Sequence, residues 1–393
     1  MPPHSSAQTV PRLTRLLGSF LLVASAAGSQ LAGQNCGPFT DVPVSDPFCP
    51  SILQVYSLGL TAGVSPTAFG PTAPITRQVL AAFLTRASRT NTLQASRRAA
   101  LDQFWIYGNP FLLGLTGVGG VPTFCKSDGA DLWVTTNDNG TVARVRASDG
   151  KLLDTWTGAT GATGVLSAMG RIVVAGGSTP GNLYLIEPSQ PAGAVVPVAT
   201  VGTNPVGIAY DGVRVWTANY GGTVSIVTPG ATLPWTTVPA TGSFNQPWGL
   251  VFDGANMWVT DRGAGTLLKL DWDGAVVQTV PVGLGPQSPA FDGANIWVPN
   301  GDDDSVTVVQ ASTGAVIATL TGSVLAAPAA AAFDGQRILV TNYIGNSVSL
   351  WTAADLKPYG AFGLGDGSLP LGVCSDGINF WIALAGKERL ARF

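Results

Sequence analysis

The sequence predicts an all-β fold, a seven-bladed β-propeller of four-stranded blades, and three of its features carry that expectation. The dipeptide Asp-Gly recurs at Asp128, Asp211, Asp253, Asp292, Asp334 and Asp376, with gaps of 83, 42, 39, 42 and 42 residues. The long gap is two periods, so a degenerate unit centred on Met169-Gly170 completes seven repeats of about 42 residues, a spacing expected of propeller blades. Two columns run in phase with it. Five positions after the Asp stand Trp133, Trp216, Trp258, Trp297 and Trp381, with Val174 and Leu339 in the remaining units; six positions before it stand Pro122, Pro205, Pro247, Pro286, Pro328 and Pro370.

Within a unit the third feature appears. In the third repeat Pro205 to Tyr210 reads as a first strand, an Asp-Gly turn follows, Val213 to Ala218 is the second, and Asn219 to Gly222 turns the chain into Thr223 to Val227. A fourth lies near Thr236 to Pro239. The second strand is apolar at consecutive positions, as in Ile296-Trp297-Val298. Both its faces are therefore buried, which fits a blade sandwiched between neighbours, and the tryptophans read as packing between blades. The seventh unit runs only from Leu371 to Arg392. The apolar run Phe111 to Leu115 is expected to supply its missing fourth strand, removing an exposed edge.

Ahead of the repeats, Arg12 and Arg15 precede an apolar stretch, Leu16 to Ala27, holding the small-residue site Ala24-Ser25-Ala26. Residues 1–26 thus read as an export signal. Its apolar run is shorter than the 20 or so residues that span a bilayer, and no other segment is long enough, so no transmembrane segment is expected. Leu31-Ala32-Gly33 resembles a lipidation signal, but Gln34-Asn35 intervene before Cys36. Export makes the four cysteines candidates for disulfides. Cys36 and Cys49, 13 positions apart, form the expected pair, contributing about 3 kcal/mol by loop entropy. Cys125 and Cys374 flank the seam of the ring and form a second candidate pair.

Residues 36–86 carry Phe39-Thr40-Asp41-Val42, then Gly59-Leu60-Thr61-Ala62-Gly63, Phe69-Gly70-Pro71 and Ile75-Thr76-Arg77. This succession resembles one S-layer homology module, a small α-helical unit. Thr76 sits where a helix N-cap belongs, with Val79, Leu80 and Phe83 on one face. The resemblance implies binding to cell-wall polysaccharide or a peptidoglycan-linked polymer, with Thr76 and Arg77 at the acidic sugar. Two departures are Gln78, two places after the threonine, and the single copy where binders group three. Residues 87–109, with Arg97 and Arg98, read as a connector, and 110–393 as the propeller.

The sixth unit, Val340-Thr341-Asn342-Tyr343-Ile344-Gly345-Asn346-Ser347-Val348, resembles the core of YVTN and NHL-like propellers. That resemblance places the loops after each second strand on the ligand-binding face. The rim would then hold Asp138, Asn219, Tyr220, Asp261, Arg262, Asp302, Asn342 and Tyr343, amide, aromatic and acidic groups suited to a peptide or glycan. Each is also an ordinary turn residue.

Composition narrows the chemistry. Charged residues are 11% of the chain against roughly 25% in an average soluble domain. The formal charge is -3, with no Lys/Arg cluster interleaved with aromatics, so nucleic acid is not an expected partner. The sole histidine, His4, lies in the export signal. An imidazole base, a Ser-His-Asp system or a histidine zinc site is therefore unavailable to the processed chain, as is the histidine on which streptogramin lyases, which share this type of propeller, rely. No Gly-rich phosphate loop occurs, and no cofactor or metal is expected; Asp302-Asp303-Asp304 offers oxygens for Ca²⁺ but reads as a solvated turn. The expected function is an exported, envelope-associated binding protein. The rivals are a histidine-free hydrolase or lyase working with rim carboxylates, and a structural surface-layer scaffold.

Overall fold

The computed structural model describes residues 114–322 and 325–393, and in the N-terminal part residues 35–36, 38–43, 46, 48–49, 52, 64–65 and 67–72. The chain divides into two compact units, 1–86 and 87–393.

The second unit is a ring of seven four-stranded antiparallel sheets. The innermost strands are Pro122–Ser127, Ala162–Ala168, Pro205–Tyr210, Pro247–Phe252, Ala290–Phe291, Pro328–Phe333 and Pro370–Ser375. The seventh blade takes its outermost strand, Leu115–Gly117, from the other end of the propeller chain, and Leu115 pairs with Ala391, Thr116 with Leu390 and Gly117 with Arg389. The closing strand thus lies later than the apolar run expected for it, whose residues 111–113 fall outside the described residues. In the third blade the second strand is Val215–Asn219 rather than Val213 to Ala218, because Val213 belongs to the turn that Asp211 organises.

The core lies between blades, where apolar side chains of adjacent sheets lose the most water-exposed area. Trp133 packs on Val165, Ile172 and Val174 of the second blade, Trp216 on Leu250 and Val259 of the fourth, and Trp381 on Leu132 and Val134 of the first. Leu339 takes the same role toward Phe380 and Ile382. In the second blade the equivalent residue is Val173, not Val174: Val173 packs toward Val215 of the third blade while Val174 faces the first. The one-residue offset comes from the turn. Without an aspartate to hold it, the hairpin closes through Met169 and Gly170, both left-handed (φ 57° and 71°), as a two-residue turn between paired strands requires.

The tryptophan and aspartate columns are parts of one device. In each Asp-Gly turn one carboxylate oxygen accepts the N–H groups two and three residues on, and the other accepts the indole N–H five residues on. Those Oδ2–Nε1 distances are 2.8 Å for Asp128–Trp133, 2.7 Å for Asp211–Trp216 and Asp253–Trp258, and 2.8 Å for Asp292–Trp297 and Asp376–Trp381. Where leucine replaces tryptophan, Asp334 instead receives Arg337 Nε at 2.9 Å. In this way a buried indole N–H is satisfied.

In the first unit Asn35–Cys36 pairs with Phe39–Pro43, and Cys36, Phe39, Val42, Cys49 and Ile52 form a small buried cluster. Cys36 and Cys49 are disulfide-bonded with Cα atoms 5.7 Å apart, and so are Cys125 and Cys374 in the ring, also at 5.7 Å. The expected helical character of the module is not borne out. Its named elements are two strands, with only Cys49 and Ile52 helical among its described residues, and residues 53–63 and 73–113, which include Thr76, Arg77 and the connector, lie outside the described residues, as does the expected export signal.

Candidate functional site

Two of the module's sequence landmarks meet in space. Asp41 accepts the N–H groups of Phe69 (2.8 Å) and Gly70 (2.7 Å), which hold its carboxylate pKa below the ordinary value, while Phe39 and Phe69 pack edge-on at 5.4 Å. The two motifs are thus one clasp, with Gly70 at φ 74° supplying the left-handed turn.

At the propeller, the prolines aim the side chains that follow them. In six blades the register of the inner strand breaks directly after its first residue, a proline in five of them and Ala162 in the second; in the fifth, Pro286 makes only an isolated bridge to Asn300. A bulge re-aims the residue it carries, and proline, lacking an N–H, is tolerated there. The residues after these positions, Thr123, Thr163, Val206, Trp248, Gln287, Ala329 and Leu371, together line a cavity of about 290 Å³ on the ring axis. Tyr220 and Asn204 join them from the loops. This position holds six residue types over the seven blades of a repeated frame.

On one side of this cavity the rings of Tyr220 and Trp248 meet edge-on at 5.8 Å. The Arg262 guanidinium carbon sits 5.5 Å from the Trp248 ring centre, and its Nη2 contacts Asp302 Oδ1 at 3.2 Å. Another of its nitrogens, Nε, is buried without a hydrogen-bond partner among the described residues, a cost of about 1–3 kcal/mol unless a ligand or water supplies an acceptor.

The expected rim residues therefore separate into two groups. Tyr220, Arg262 and Asp302 come together around Trp248. Asn219 and Asn342 are fully buried and spend their amides inside the blade, Asn219 on Thr223 and Ser225 (3.0 and 2.9 Å) and Asn342 on Ser347 and Ser349 (3.1 and 2.8 Å). Asp261, 2% exposed, accepts the Asn245 N–H at 2.9 Å; burial raises its pKa, with that hydrogen bond opposing. Asp138 is exposed and ties down Val121 N–H at 2.9 Å, and Tyr343 is half-buried, its N–H on Ala327 O. The three acidic residues of the fifth blade diverge, Asp302 to Arg262, Asp303 to Ser305 and Leu284, Asp304 to Ala327, and no metal-ligand cluster occurs among the described residues.

Trp248 was not singled out by sequence reasoning, which aligned the repeats on Asp-Gly and read tryptophan as packing. Alignment on the proline exposes it: it is the one aromatic in its column.

Fold and site together define a disulfide-bonded seven-bladed propeller with a variable axial cleft, preceded by a small module. Residues 38–78 match the family model of the S-layer homology domain, which implies a cell-surface or envelope-associated protein. The propeller is similar to virginiamycin B lyase from Staphylococcus aureus (15% identical, 71% of this chain and 97% of that chain, TM-score 0.60). It is also similar to Kuenenia stuttgartiensis hydrazine synthase (16% identical, 74% and 98%, TM-score 0.59) and to the WD40 β-propeller domain of Doa1 (14% identical, 71% and 94%, TM-score 0.58). At such identities the likeness is one of fold. A search of curated proteins gives no match. The YVTN/NHL-like repeat type rests on the sequence resemblance alone.

Proposed function

We propose that this is an exported binding protein held at the cell envelope by its N-terminal module, with Thr76 and Arg77 contacting a cell-wall polymer. Its propeller captures a peptide or glycan segment in the Trp248 cleft. The observation that carries the reading is the unpartnered Arg262 Nε beside Trp248, whose ring joins Tyr220 in lining a cavity walled by one side chain from each of the seven blades. An aromatic face with a donor beside it suits a ligand that has one apolar face and polar groups along its edge.

Against the enzymatic alternative, the rim acid whose pKa burial raises, Asp261, is closed off by Asn245, while Asp302 is occupied by Arg262. Binding needs no group tuned to titrate near neutrality.

The full chain is to be probed on glycan and peptide arrays, followed by titration of the best ligand into the Trp248→Ala and Arg262→Met variants. Affinity should fall about tenfold or more in each, as for buried aromatic and arginine contacts. A chain that captures nothing would leave the surface-layer scaffold as the reading; capture indifferent to Trp248 would move the site elsewhere.

A further inference from the structure

A second, larger cavity of about 540 Å³ lies on the same axis, lined by the later halves of the inner strands near the Asp-Gly turns. Its wall is lopsided. Four consecutive blades present an aromatic ring at the sixth position of the inner strand or its equivalent, Tyr210, Phe252, Phe291 and Phe333, whereas the other three place Ser127, Ser167 and Ser375 there. Across from this arc, the first blade contributes Lys126 to the lining.

Lys126 is the sole charged side chain of the wall. No carboxylate lines the cavity, and no ion pair or hydrogen bond of its Nζ is found among the described residues. Its side chain is open to water inside the channel, yet the surrounding protein lowers its pKa below that of an ordinary lysine. This ammonium faces an apolar wall with no counter-charge on it, and an anion entering the channel would supply one. The other titratable group facing it is Tyr210, whose pKa is raised by burial and by Asp211; Cys125 and Cys374 are joined to each other.

We infer that this cavity is a small-molecule site for an amphipathic monoanion: an apolar, aromatic-sized body resting on Tyr210, Phe252, Phe291 and Phe333, with its carboxylate paired to Lys126. The volume lies within the range of small-ligand pockets, roughly 300–1,000 Å³, and the division into an apolar wall with one oriented polar group is how such pockets fix orientation. The site is separate from the Trp248 cleft and stands or falls independently of it.

Calorimetric titration of the full chain with 2-naphthoate should show one saturable site. In Lys126→Met, which keeps the length and packing of the side chain, naphthoate affinity should fall at least tenfold while the neutral methyl ester binds no more weakly than to the native chain. Phe252→Ala should weaken both probes, and Trp248→Ala neither. A direct readout uses ¹³C-dimethylation of the chain's five lysines: the resonance missing in Lys126→Met should titrate below the other four, and shift upward on saturation with naphthoate. Absence of saturable binding, equal naphthoate affinity in Lys126→Met, or a Lys126 resonance indifferent to ligand would each overturn the inference.

Discussion

A single carboxylate in this ring holds a turn and an indole at once. Asp128 accepts the Ala130 and Asp131 N–H groups at 2.9 and 2.8 Å while gripping Trp133 Nε1. Burial opposes its ionised form, but the hydrogen bonds from Trp133, Asp131 and Ala130 and the charge of Arg144 outweigh it, leaving its pKa below 3.8. The group is therefore more acidic folded than unfolded, so its contribution is present at neutral pH and is lost as pH falls through its lowered folded value. Asp128→Asn is expected to destabilise the propeller by about 1–3 kcal/mol near pH 7, as for a buried donor left short of its acceptor. The gap between native and variant melting temperatures should begin to narrow below pH 4 and keep narrowing as pH falls through the lowered folded value; a gap that never narrows on acidification would refute the assignment. The sequence displayed both columns but not the bond between them, because residues five apart meet only after the hairpin folds back.

At the scale of strands, closeness is limited by what lies between neighbours. Gly207 and Gly249 occupy the second position after the proline, where a Cβ would come within 2.4 Å of Trp248 O and 2.5 Å of Pro289 Cδ respectively, so the inner strands run nearly against each other around the axis. The seven units, their four strands and the borrowed closing strand were legible from periodicity, since each was written into the chain several times. The second blade was misread by one residue because its turn substitutes backbone conformation for the aspartate used in the alignment. The closing strand gives a direct test. Chains beginning at residues 114 and 119 differ by Gly114, the strand Leu115–Gly117 and the buried Val118, and the shorter is expected to melt several degrees lower and to expose the Arg389–Arg392 edge to aggregation. Equal melting temperatures would mean that this pairing contributes nothing to closure.

For the whole molecule, the candidate site was only half legible. Tyr220, Arg262 and Asp302 could be named from their loop positions, yet buried turn asparagines such as Asn219 and Asn342 look identical in sequence, and only their hydrogen bonds to serine and threonine tell them apart. Trp248 was hidden because the bulge that aims it leaves no residue signature beyond a proline. The envelope assignment is testable without knowing any ligand. Deleting residues 36–86 should release the protein from isolated cell envelopes into the wash, measured as the bound fraction against the intact chain; undiminished retention would place the attachment in the propeller.

The strand that closes the ring is also where the tether enters it. A pull on the N-terminal side of residue 114 loads three paired residues first, and these peel from Arg389–Arg392. Peeling then stops at Cys125, because the bond to Cys374 already joins the first and seventh blades covalently. Tension would pass from there directly into the last blade, sparing the five blades between it and the first. A protein dragged at the surface of a cell could lose its closing strand repeatedly and still not come open, in the manner of a ring whose latch is backed by a rivet.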